Sequence, residues 1–159
     1  MLKILVLCTG NSCRSVLGEA LFNEMGKGRI QAYSAGSHPL GRINAKALAT
    51  LERHGIATTG FISQSWDEFE HENIDIAITV CDNAAGETCP VYLNNAIRGR
   101  WGLSDPGHVK GSEQEIEAAF EVTFLALQRR IEKMLALPLE QMQSQELAEA
   151  LNAIGNCDS

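Results

Sequence analysis

The sequence predicts an α/β domain, a three-layer sandwich around a central four-stranded parallel sheet. Four short apolar segments suited to buried strands alternate with stretches in which apolar residues recur at helical spacing. Strands that alternate with helices favour parallel pairing, because each crossover returns the chain to the same end of the sheet. With 159 residues, the chain is long enough for one domain with its own core.

The four predicted strands are short and mostly apolar. The first covers residues 2–7, "LKILVL", and the third covers 74–81, where β-branched residues are frequent. The second is "IQAYSAG" at 30–36, and a weaker fourth is "IRGRWGL" at 97–103. All four are close to the usual length of buried strands, about 4–8 residues.

Two helices are predicted between these strands. Apolar residues recur at helical spacing from Ser15 to Met25, and Gly26 ends this helix. A second helix covers 44–55, where Gly55 occupies the position at which helix ends favour a left-handed residue.

The longest predicted helix begins at a capping box formed by Ser112 and Glu115 and ends before a proline. A further amphipathic pattern predicts a last helix over 139–155, packed either on the domain or on another subunit. We therefore expect 1–137 to form the domain, and 138–159 to add a C-terminal amphipathic helix and tail.

Composition and charge argue against several classes of function. The formal net charge of −7 disfavours a nucleic-acid partner, because binding to a phosphate backbone needs a basic surface. No apolar run approaches the roughly 18–20 residues of a membrane span, and the N-terminal run is too short for a signal peptide. We therefore expect a cytoplasmic protein without a membrane partner. The chain has five cysteines, and an odd number in a cytoplasmic protein does not indicate a disulfide scaffold. The thiols therefore serve catalysis, redox chemistry, metal binding or burial.

The junction between the first strand and the first helix, "VLCTGNSCRS", places a thiol and a guanidinium six positions apart. Ligands of parallel sheets bind beyond the carboxyl ends of the strands, and Cys8 ends the first strand. The loop can turn successive N–H groups inward as an anion nest, while the helix N-terminus and Arg14 add positive charge. A thiol in this field loses its proton readily. We therefore expect a nucleophilic Cys8 that faces a bound oxyanion.

The residues expected to bind the oxyanion form one continuous stretch: Thr9, Gly10, Asn11, Ser12, Cys13, Arg14 and Ser15. Within it, Gly10 is expected to adopt backbone geometry that other residues resist, and Asn11 to tie the loop by side-chain hydrogen bonds. Ser15 is expected to donate a hydrogen bond to the thiolate. The alternative is a buried structural cysteine with an arginine on the surface.

An oxyanion that leaves or is displaced requires a proton donor, and "GLSDPGH" supplies one in Asp105. This residue follows the fourth strand, so we expect it at the same edge of the sheet as the loop after Cys8. Pro106 favours an extended backbone at Asp105 and stiffens its loop. The alternative is an ordinary Asp-Pro turn without a catalytic role.

A second pair of thiols follows the third strand in "VCDNAAGETCP". Cys81 lies at the tip of the predicted strand and Cys89 after small and polar residues, which favours thiol–disulfide exchange with one attacking and one resolving cysteine. Two buried cysteines are one alternative, and a zinc site built from Cys8, Cys13, Cys81 and Cys89 is another. The spacings of that zinc site, Cys-x4-Cys and Cys-x7-Cys, strain the short-knuckle pattern, and a metal ion would block the anion loop, so we expect no metal ion and no cofactor.

Together, "VLCTGNSCRS", "VCDNAAGETCP" and "WGLSDPG" resemble thioredoxin-coupled arsenate reductases, which are built on the low-molecular-weight protein tyrosine phosphatase fold. The resemblance covers about residues 1–135 and keeps the order of the motifs. Phosphatases of this fold share the Cys-x5-Arg loop and the Asp-Pro acid but not the second thiol pair. They typically follow Asp-Pro with an aromatic residue, whereas Gly107 stands here and suits a small inorganic anion. Seven residues separate Cys81 from Cys89, against six in some members.

The resemblance implies reduction of arsenate to arsenite for arsenic detoxification. It implies that the Cys8 thiolate attacks arsenic while Arg14 and the loop amides hold the anion, and that Asp105 protonates the departing oxygen. Cys81 and then Cys89 would carry the resulting disulfide away from Cys8, and thioredoxin would reduce it. Phosphate and sulfate would compete with arsenate for the loop.

Two other functions stay open at this point. The loop suits phosphate as well as arsenate, so the chain is alternatively a small phosphatase that hydrolyses phosphomonoesters such as phosphotyrosine. A binding protein that senses redox state or arsenic through its thiols is a further alternative, although no DNA-binding element supports it. Cys13 is expected to be a packing residue rather than a redox partner.

Overall fold

The structure is a computed structural model of the chain, and it describes residues 1–80 and 90–156. The strands of this part are β1, Leu2–Leu7; β2, Ile30–Ala35; β3, Ile76–Thr79; and β4, Ile97–Arg100. All of them are parallel, in the order β2-β1-β3-β4. The predicted α/β class with a four-stranded parallel sheet is confirmed, although the third and fourth strands are shorter than predicted.

The α-helices of the described part are α1, Arg14–Met25; α2, Ala45–Arg53; α3, Glu113–Leu135; and α4, Ser144–Asn156. The last helix begins five residues later than predicted, because Leu139–Gln141 forms a short 3-10 helix instead. Other 3-10 helices, which the sequence did not predict, are Trp66–Phe69, Val91–Asn95 and Pro106–His108. None of the helices in the described ranges is both long and apolar enough to cross a membrane.

Local sequence signals set the ends of the helices. At the end of α2, Gly55 has a φ of 74°, and the N–H of Ile56 donates to the Leu51 carbonyl oxygen at 3.0 Å. This is the left-handed helix end that the sequence predicts. At the start of α3, the Ser112 hydroxyl accepts from the N–H of Glu115, whose carboxylate accepts from the N–H of Ser112. The predicted capping box is therefore confirmed.

Alternation along β1 divides the core between the two faces of the sheet. Ile4 and Val6 point into a large apolar cluster to which α1, α2, α3 and α4 all contribute. Leu5 and Leu7 point to the opposite face, where a smaller cluster lies under 3-10 helices and loops. The helices, the sheet and this thinner cover are the three layers.

The C-terminal helix α4 packs on the outer strand β4 and belongs to the main core. Leu147, Leu151 and Ile154 are buried in the large cluster. The contact is close at Gly99, where an added Cβ would lie 3.1 Å from the Cβ of Leu151. The apolar face that predicts this helix is therefore covered by the domain itself.

The strand order creates a topological switch point between β1 and β3. From β1 the chain passes first to β2 on one side and later to β3 on the other. At the carboxyl ends of these strands, the N–H of Val80 donates to the carbonyl oxygen of Leu7 at 2.9 Å. Crevices at such points are the usual ligand sites of parallel α/β sheets. The loop that begins at Cys8 therefore lies where a ligand is expected to bind.

Candidate active site

The loop from Cys8 to α1 is held by hydrogen bonds that its carbonyl groups accept from a neighbouring segment. Cys8 is buried at the end of β1, where its N–H donates to the Ala35 carbonyl oxygen at 3.2 Å. Three loop carbonyl oxygens accept backbone N–H groups from the segment 38–44, in the pairs Thr9–His38 at 2.9 Å, Gly10–Leu40 at 3.0 Å and Ser12–Asn44 at 2.9 Å. One side of the loop therefore faces that segment.

The same bonds orient the N–H groups of the loop. In a trans peptide, the carbonyl of one residue and the N–H of the next point in opposite directions, and no peptide of the described residues is cis. The N–H groups of Gly10, Asn11 and Cys13 therefore point away from the segment 38–44, to the inner side of the loop. The first turn of α1, which begins at Arg14, adds the partial positive charge of a helix N-terminus. This is the arrangement of an anion nest.

Asn11 takes the left-handed backbone conformation in this loop, with a φ of 44°. Its buried side-chain oxygen accepts from the N–H of Gln64 at 2.8 Å. Its side-chain nitrogen donates to the hydroxyls of Ser15 at 2.8 Å and Ser34 at 3.0 Å. The predicted tying of the loop by Asn11 is confirmed. The predicted special geometry at Gly10 is wrong, because Gly10 has no positive φ.

Ser15 is buried and accepts its hydrogen bond from Asn11. A hydroxyl carries one donor and two acceptor sites, so this bond leaves the hydroxyl hydrogen for another acceptor. The expected donation from Ser15 to the Cys8 thiolate stays a prediction.

Behind the loop, a buried polar chain continues from Ser34 to Glu19. The Ser34 hydroxyl donates to a carboxylate oxygen of Glu19 at 2.5 Å while it accepts from Asn11. Burial raises the pKa of Glu19 to about 7, and the hydrogen bond from Ser34 offsets part of that rise. Sequence reasoning missed both residues. The available signal was weak: Glu19 lies one helical turn after Ser15, among buried residues of α1.

Gly36, also missed by sequence reasoning, lets the end of β2 approach the loop. A Cβ added there would lie 2.4 Å from the carbonyl oxygen of Thr9 and 2.6 Å from that of Cys8, closer than real side chains come. The N–H of Gly36 donates to the Gln64 carbonyl oxygen at 2.9 Å, and its own carbonyl oxygen accepts from Trp66 at 3.1 Å. Only glycine fits between the loop and these partners.

The loop after β4 brings Asp105 to Arg14, the first residue of α1. Arg14 donates from Nη1 to the Leu103 carbonyl oxygen at 2.8 Å, and its Nη2 lies 3.5 Å from Oδ2 of Asp105. The backbone at Asp105 is extended, with φ −77° and ψ 110°, as the following proline predicts. Only 14% of the Arg14 side chain and 21% of the Asp105 side chain are exposed, so water and salt screen the pair weakly.

The Asp105 carboxylate is surrounded by hydrogen-bond donors. Its Oδ1 accepts from the N–H of Gly107 at 2.8 Å, and Nε2 of His108 lies 3.4 Å from its Oδ2. The Cys13 thiol donates to Oδ1 at 3.4 Å. Burial and the neighbouring Asp105 charge raise the pKa of Cys13 to about 12. Cys13 is therefore a neutral thiol that donates to the acid, a contact that the sequence did not predict.

The described residues include three of the predicted catalytic groups, all at one edge of the sheet: Cys8 at the end of β1, Arg14 at the start of α1 and Asp105 after β4. Cys81 and Cys89 lie outside the described residues. In the part that the structure describes, no three His, Cys, Asp or Glu side chains are grouped as a metal ion requires. The assembled groups have the chemistry to bind a tetrahedral anion, bring a thiol to it and supply a proton.

Alkylation with iodoacetamide should distinguish native Cys13 from an ordinary thiol. With a pKa of about 12, its modification rate should keep rising about tenfold per pH unit up to pH 10, because the reactive thiolate stays rare. Peptide mass spectrometry measures the rate. In urea-denatured protein, the same thiol should level off above about pH 9. Burial alone would slow the native rate without moving this plateau, so a native plateau near pH 9 would contradict the raised pKa.

Replacing Glu19 by glutamine should remove a pH-dependent loss of stability. Because the pKa rises from 4.5 to about 7 on folding, the unfolded chain gives up the proton first as pH rises, and the native state loses stability between those values. The loss is at most about 3 kcal/mol. In urea unfolding, the free energy of unfolding of Glu19→Gln, relative to that of wild type, should be higher at pH 8 than at pH 5. The exposed Glu24→Gln is the control, and an equal difference at both pH values would refute the pKa rise.

The chain is similar to known proteins in both sequence and fold. Residues 3–149 match the family described as low molecular weight phosphotyrosine protein phosphatase. A relative named arsenate reductase, from Bacillus subtilis (strain 168), is 34% identical over 118 residues, which cover 74% of this chain and 84% of that protein. Another protein of this name, from Staphylococcus xylosus, is 32% identical over 123 residues, which cover 74% of this chain and 92% of that protein.

The similarity extends to solved structures. One of them, described as an arsenate reductase in the phosphate binding state, aligns with a TM-score of 0.72 and 26% identity, over 86% of this chain and 98% of that one. The resemblance carried by the sequence motifs is therefore confirmed. Because the family match spans most of the chain, including Cys8, Arg14 and Asp105, the chain belongs to the low molecular weight phosphotyrosine protein phosphatase family, where its relatives include proteins named arsenate reductase.

Proposed function

We propose that the chain reduces arsenate to arsenite by a thiol cascade that starts at Cys8 and that thioredoxin regenerates. One observation carries the proposal: the loop after Cys8, the Arg14 guanidinium and the Asp105 acid meet where β1 and β3 end side by side. The names of the relatives support arsenate as the substrate, and the family supports an anion-binding loop. The biological setting would be arsenic detoxification in the cytoplasm.

Arsenate is a tetrahedral oxyanion, and the loop offers it N–H donors and a cation. The N–H groups of Gly10, Asn11 and Cys13 point to the inner side of the loop, and the start of α1 adds partial positive charge. Arg14 is anchored through Nη1 on the Leu103 carbonyl oxygen, which limits how far its guanidinium moves. A site of this kind holds the anion before any bond forms, so the attack becomes effectively intramolecular.

In the first step, the Cys8 thiolate attacks arsenic and an arsenic–oxygen bond breaks. Protonated Asp105 donates its proton to the departing hydroxyl oxygen, which leaves as water. Asp105 lies 3.5 Å from Arg14, which would bind the same anion, and this proximity supports its role as the acid. The product is a sulfur–arsenic bond in which arsenic is still As(V).

In the second step, the Cys81 thiolate attacks the Cys8 sulfur. The sulfur–arsenic bond breaks, its electron pair stays on arsenic, and arsenite leaves as As(III) while a Cys8–Cys81 disulfide forms. The hydrogen bond from Val80 to the Leu7 carbonyl oxygen supports this step. Leu7 directly precedes Cys8 in the sequence, and Val80 directly precedes Cys81.

Two further exchanges return the enzyme to its starting state. The Cys89 thiolate attacks Cys81, which frees Cys8 as a thiolate and leaves a Cys81–Cys89 disulfide. A thioredoxin dithiol reduces that disulfide and is itself oxidised. All of the proposed catalytic residues lie in 1–137, which we take as the catalytic unit, with 138–159 as its C-terminal helix and tail.

A second candidate is the hydrolysis of phosphomonoesters such as phosphotyrosine. The loop itself favours it, since its N–H groups and Arg14 suit phosphate as well as arsenate. The family description points the same way. This reaction would begin with the attack of Cys8 on phosphorus and would need no second thiol. We therefore expect weak phosphatase activity beside arsenate reduction, with phosphate and sulfate as competing anions.

Replacing Cys89 by serine should stop repeated arsenate reduction but spare phosphatase activity. Without Cys89 the cascade halts at the Cys8–Cys81 disulfide, so each enzyme should release about one arsenite and then stop. Arsenate-dependent NADPH consumption with thioredoxin and its reductase measures turnover. Hydrolysis of an aryl phosphate measures the second activity, and peptide mapping identifies the trapped disulfide.

Cys157→Ser is the matched control, because it removes a thiol outside the proposed cascade and should keep both activities. If Cys89→Ser loses both activities together, Cys89 is structural. If the variant still turns over repeatedly at the wild-type rate, the cascade is wrong.

Replacing Gly107 by tyrosine should improve the hydrolysis of aryl phosphates. Gly107 is exposed beside the acid and has no positive φ, and the nearest atom to an added Cβ is Oδ1 of Asp105 at 3.1 Å. A tyrosine ring would stack on an aryl group, which is worth about 0.5–1.5 kcal/mol and therefore about a two- to tenfold gain in kcat/KM. Gly107→Ala is the control, and neither variant should gain on arsenate. Equal aryl phosphate kinetics in the two variants would contradict this interpretation.

A further inference from the structure

We propose that Trp101 is a positioning residue for this reaction and that the C-terminal helix α4 holds it in place. Trp101 directly follows β4 and precedes Asp105 by four residues. The proposal rests on the proposed function only for the identity of the reaction, because it concerns the placement of Arg14 and Asp105.

Trp101 is fully buried and fixed by four different elements. Its indole N–H donates to the Leu151 carbonyl oxygen in α4 at 2.9 Å, and its ring stacks on Phe22 of α1 with centroids 5.8 Å apart. Its backbone N–H donates to the carbonyl oxygen of Thr79, the last residue of β3, at 2.7 Å. Its carbonyl oxygen accepts from Nη1 of Arg130 in α3 at 2.9 Å. A buried residue with its N–H groups and carbonyl oxygen bonded in this way has one favoured position.

The residues that follow Trp101 connect it to the site. Two residues later, the N–H of Leu103 donates to the Val80 carbonyl oxygen at 3.0 Å, and the Leu103 carbonyl oxygen accepts from Arg14 at 2.8 Å. Two residues further, Asp105 lies beside the same guanidinium. A displacement of Trp101 would move the carbonyl on which Arg14 is anchored and the start of the acid loop together.

The α4 side of this arrangement is formed by Leu151, Asn152 and Gly155, which we call the brace. Leu151 supplies the carbonyl oxygen for the indole, and the Asn152 side-chain oxygen accepts from the N–H of Arg100 at 2.9 Å. Because β4 is the outer strand, this bond satisfies a donor that no further strand pairs. At Gly155, an added Cβ would lie 2.0 Å from the Arg100 carbonyl oxygen and 2.8 Å from Cδ1 of Trp101. The helix therefore sits as close to the strand end as its backbone allows.

Two variants disturb the brace, and a third tests core packing alone. Trp101→Phe keeps an aromatic ring but removes the N–H that bonds to Leu151. Gly155→Ala adds a methyl group where the strand end leaves no room. Leu147→Ala is the matched control, because it removes a buried side chain of the same helix and leaves the hydrogen bonds of Trp101 in place.

The readouts are the dissociation constant of phosphate, by isothermal titration calorimetry, and kcat and KM for arsenate, each well below the variant's melting temperature. We expect Trp101→Phe and Gly155→Ala to weaken phosphate binding and lower kcat/KM by about tenfold each, since a misplacement of about 1 Å can cost about 100-fold. Leu147→Ala should lower the melting temperature at least as much while keeping the wild-type affinity and kinetics.

Wild-type affinity and kinetics in both Trp101→Phe and Gly155→Ala would overturn the proposal. Equal losses in Leu147→Ala, at the same drop in melting temperature, would overturn it as well. If Gly155→Ala does not fold, Trp101→Phe and Asn152→Ala decide by the same criteria. Phosphate binding does not depend on arsenate chemistry, so a protein that shows the expected phosphate pattern but never reduces arsenate would refute the proposed function and support the brace.

Discussion

The candidate site depends on the direction in which the peptide groups between Cys8 and Arg14 point. Three carbonyl groups of the loop are bonded to the segment 38–44, and each bond turns the following N–H to the opposite side of the chain. Such a site draws its positive potential from peptide dipoles, one arginine and a helix start, so a chain with a formal net charge of −7 can still offer it. Gly36 is part of this constraint, because a side chain there would displace the first carbonyls of the loop.

Asn11 transmits this constraint to the rest of the domain. A positive φ costs a non-glycine residue about 1–3 kcal/mol, and the surroundings of Asn11 must offset that cost. Its side chain does so by bonding to Gln64, to Ser15 in α1 and to Ser34 in β2, so the loop moves only if these elements move. Glu19 terminates the network behind Ser34. Burial of so many polar groups is tolerable because each one has a partner.

The α/β class and the places of the Cys8–Arg14 loop and of Asp105 could be predicted because each rests on a local signal. Strand ends, a helix start and an Asp-Pro pair are readable in short segments, and a parallel sheet gathers them at one edge. The supporting contacts could not be predicted, since Ser34 bonds to Asn11 across 23 positions. The indole of Trp101 bonds to α4 across 50. No local pattern encodes such pairs. The start of α4 was misplaced for a related reason: apolar spacing in a 3-10 turn resembles that of a helix.

In the proposed reaction, the Arg14–Asp105 pair would couple anion binding to proton supply. The Asp105 carboxylate lies beside Arg14 and accepts from the Cys13 thiol and the N–H of Gly107. A dianion on the same guanidinium would bring further negative charge to this carboxylate, and two like charges 4 Å apart near a protein surface repel by about 4 kcal/mol. In the proposed first step, a proton on Asp105 would remove that repulsion and would be the proton given to the departing oxygen. Cys13 must stay neutral for the same reason, because a thiolate there would repel both the acid and the anion. Cys13 is therefore the hydrogen-bond donor of the loop, and Cys8 is left as its proposed nucleophile.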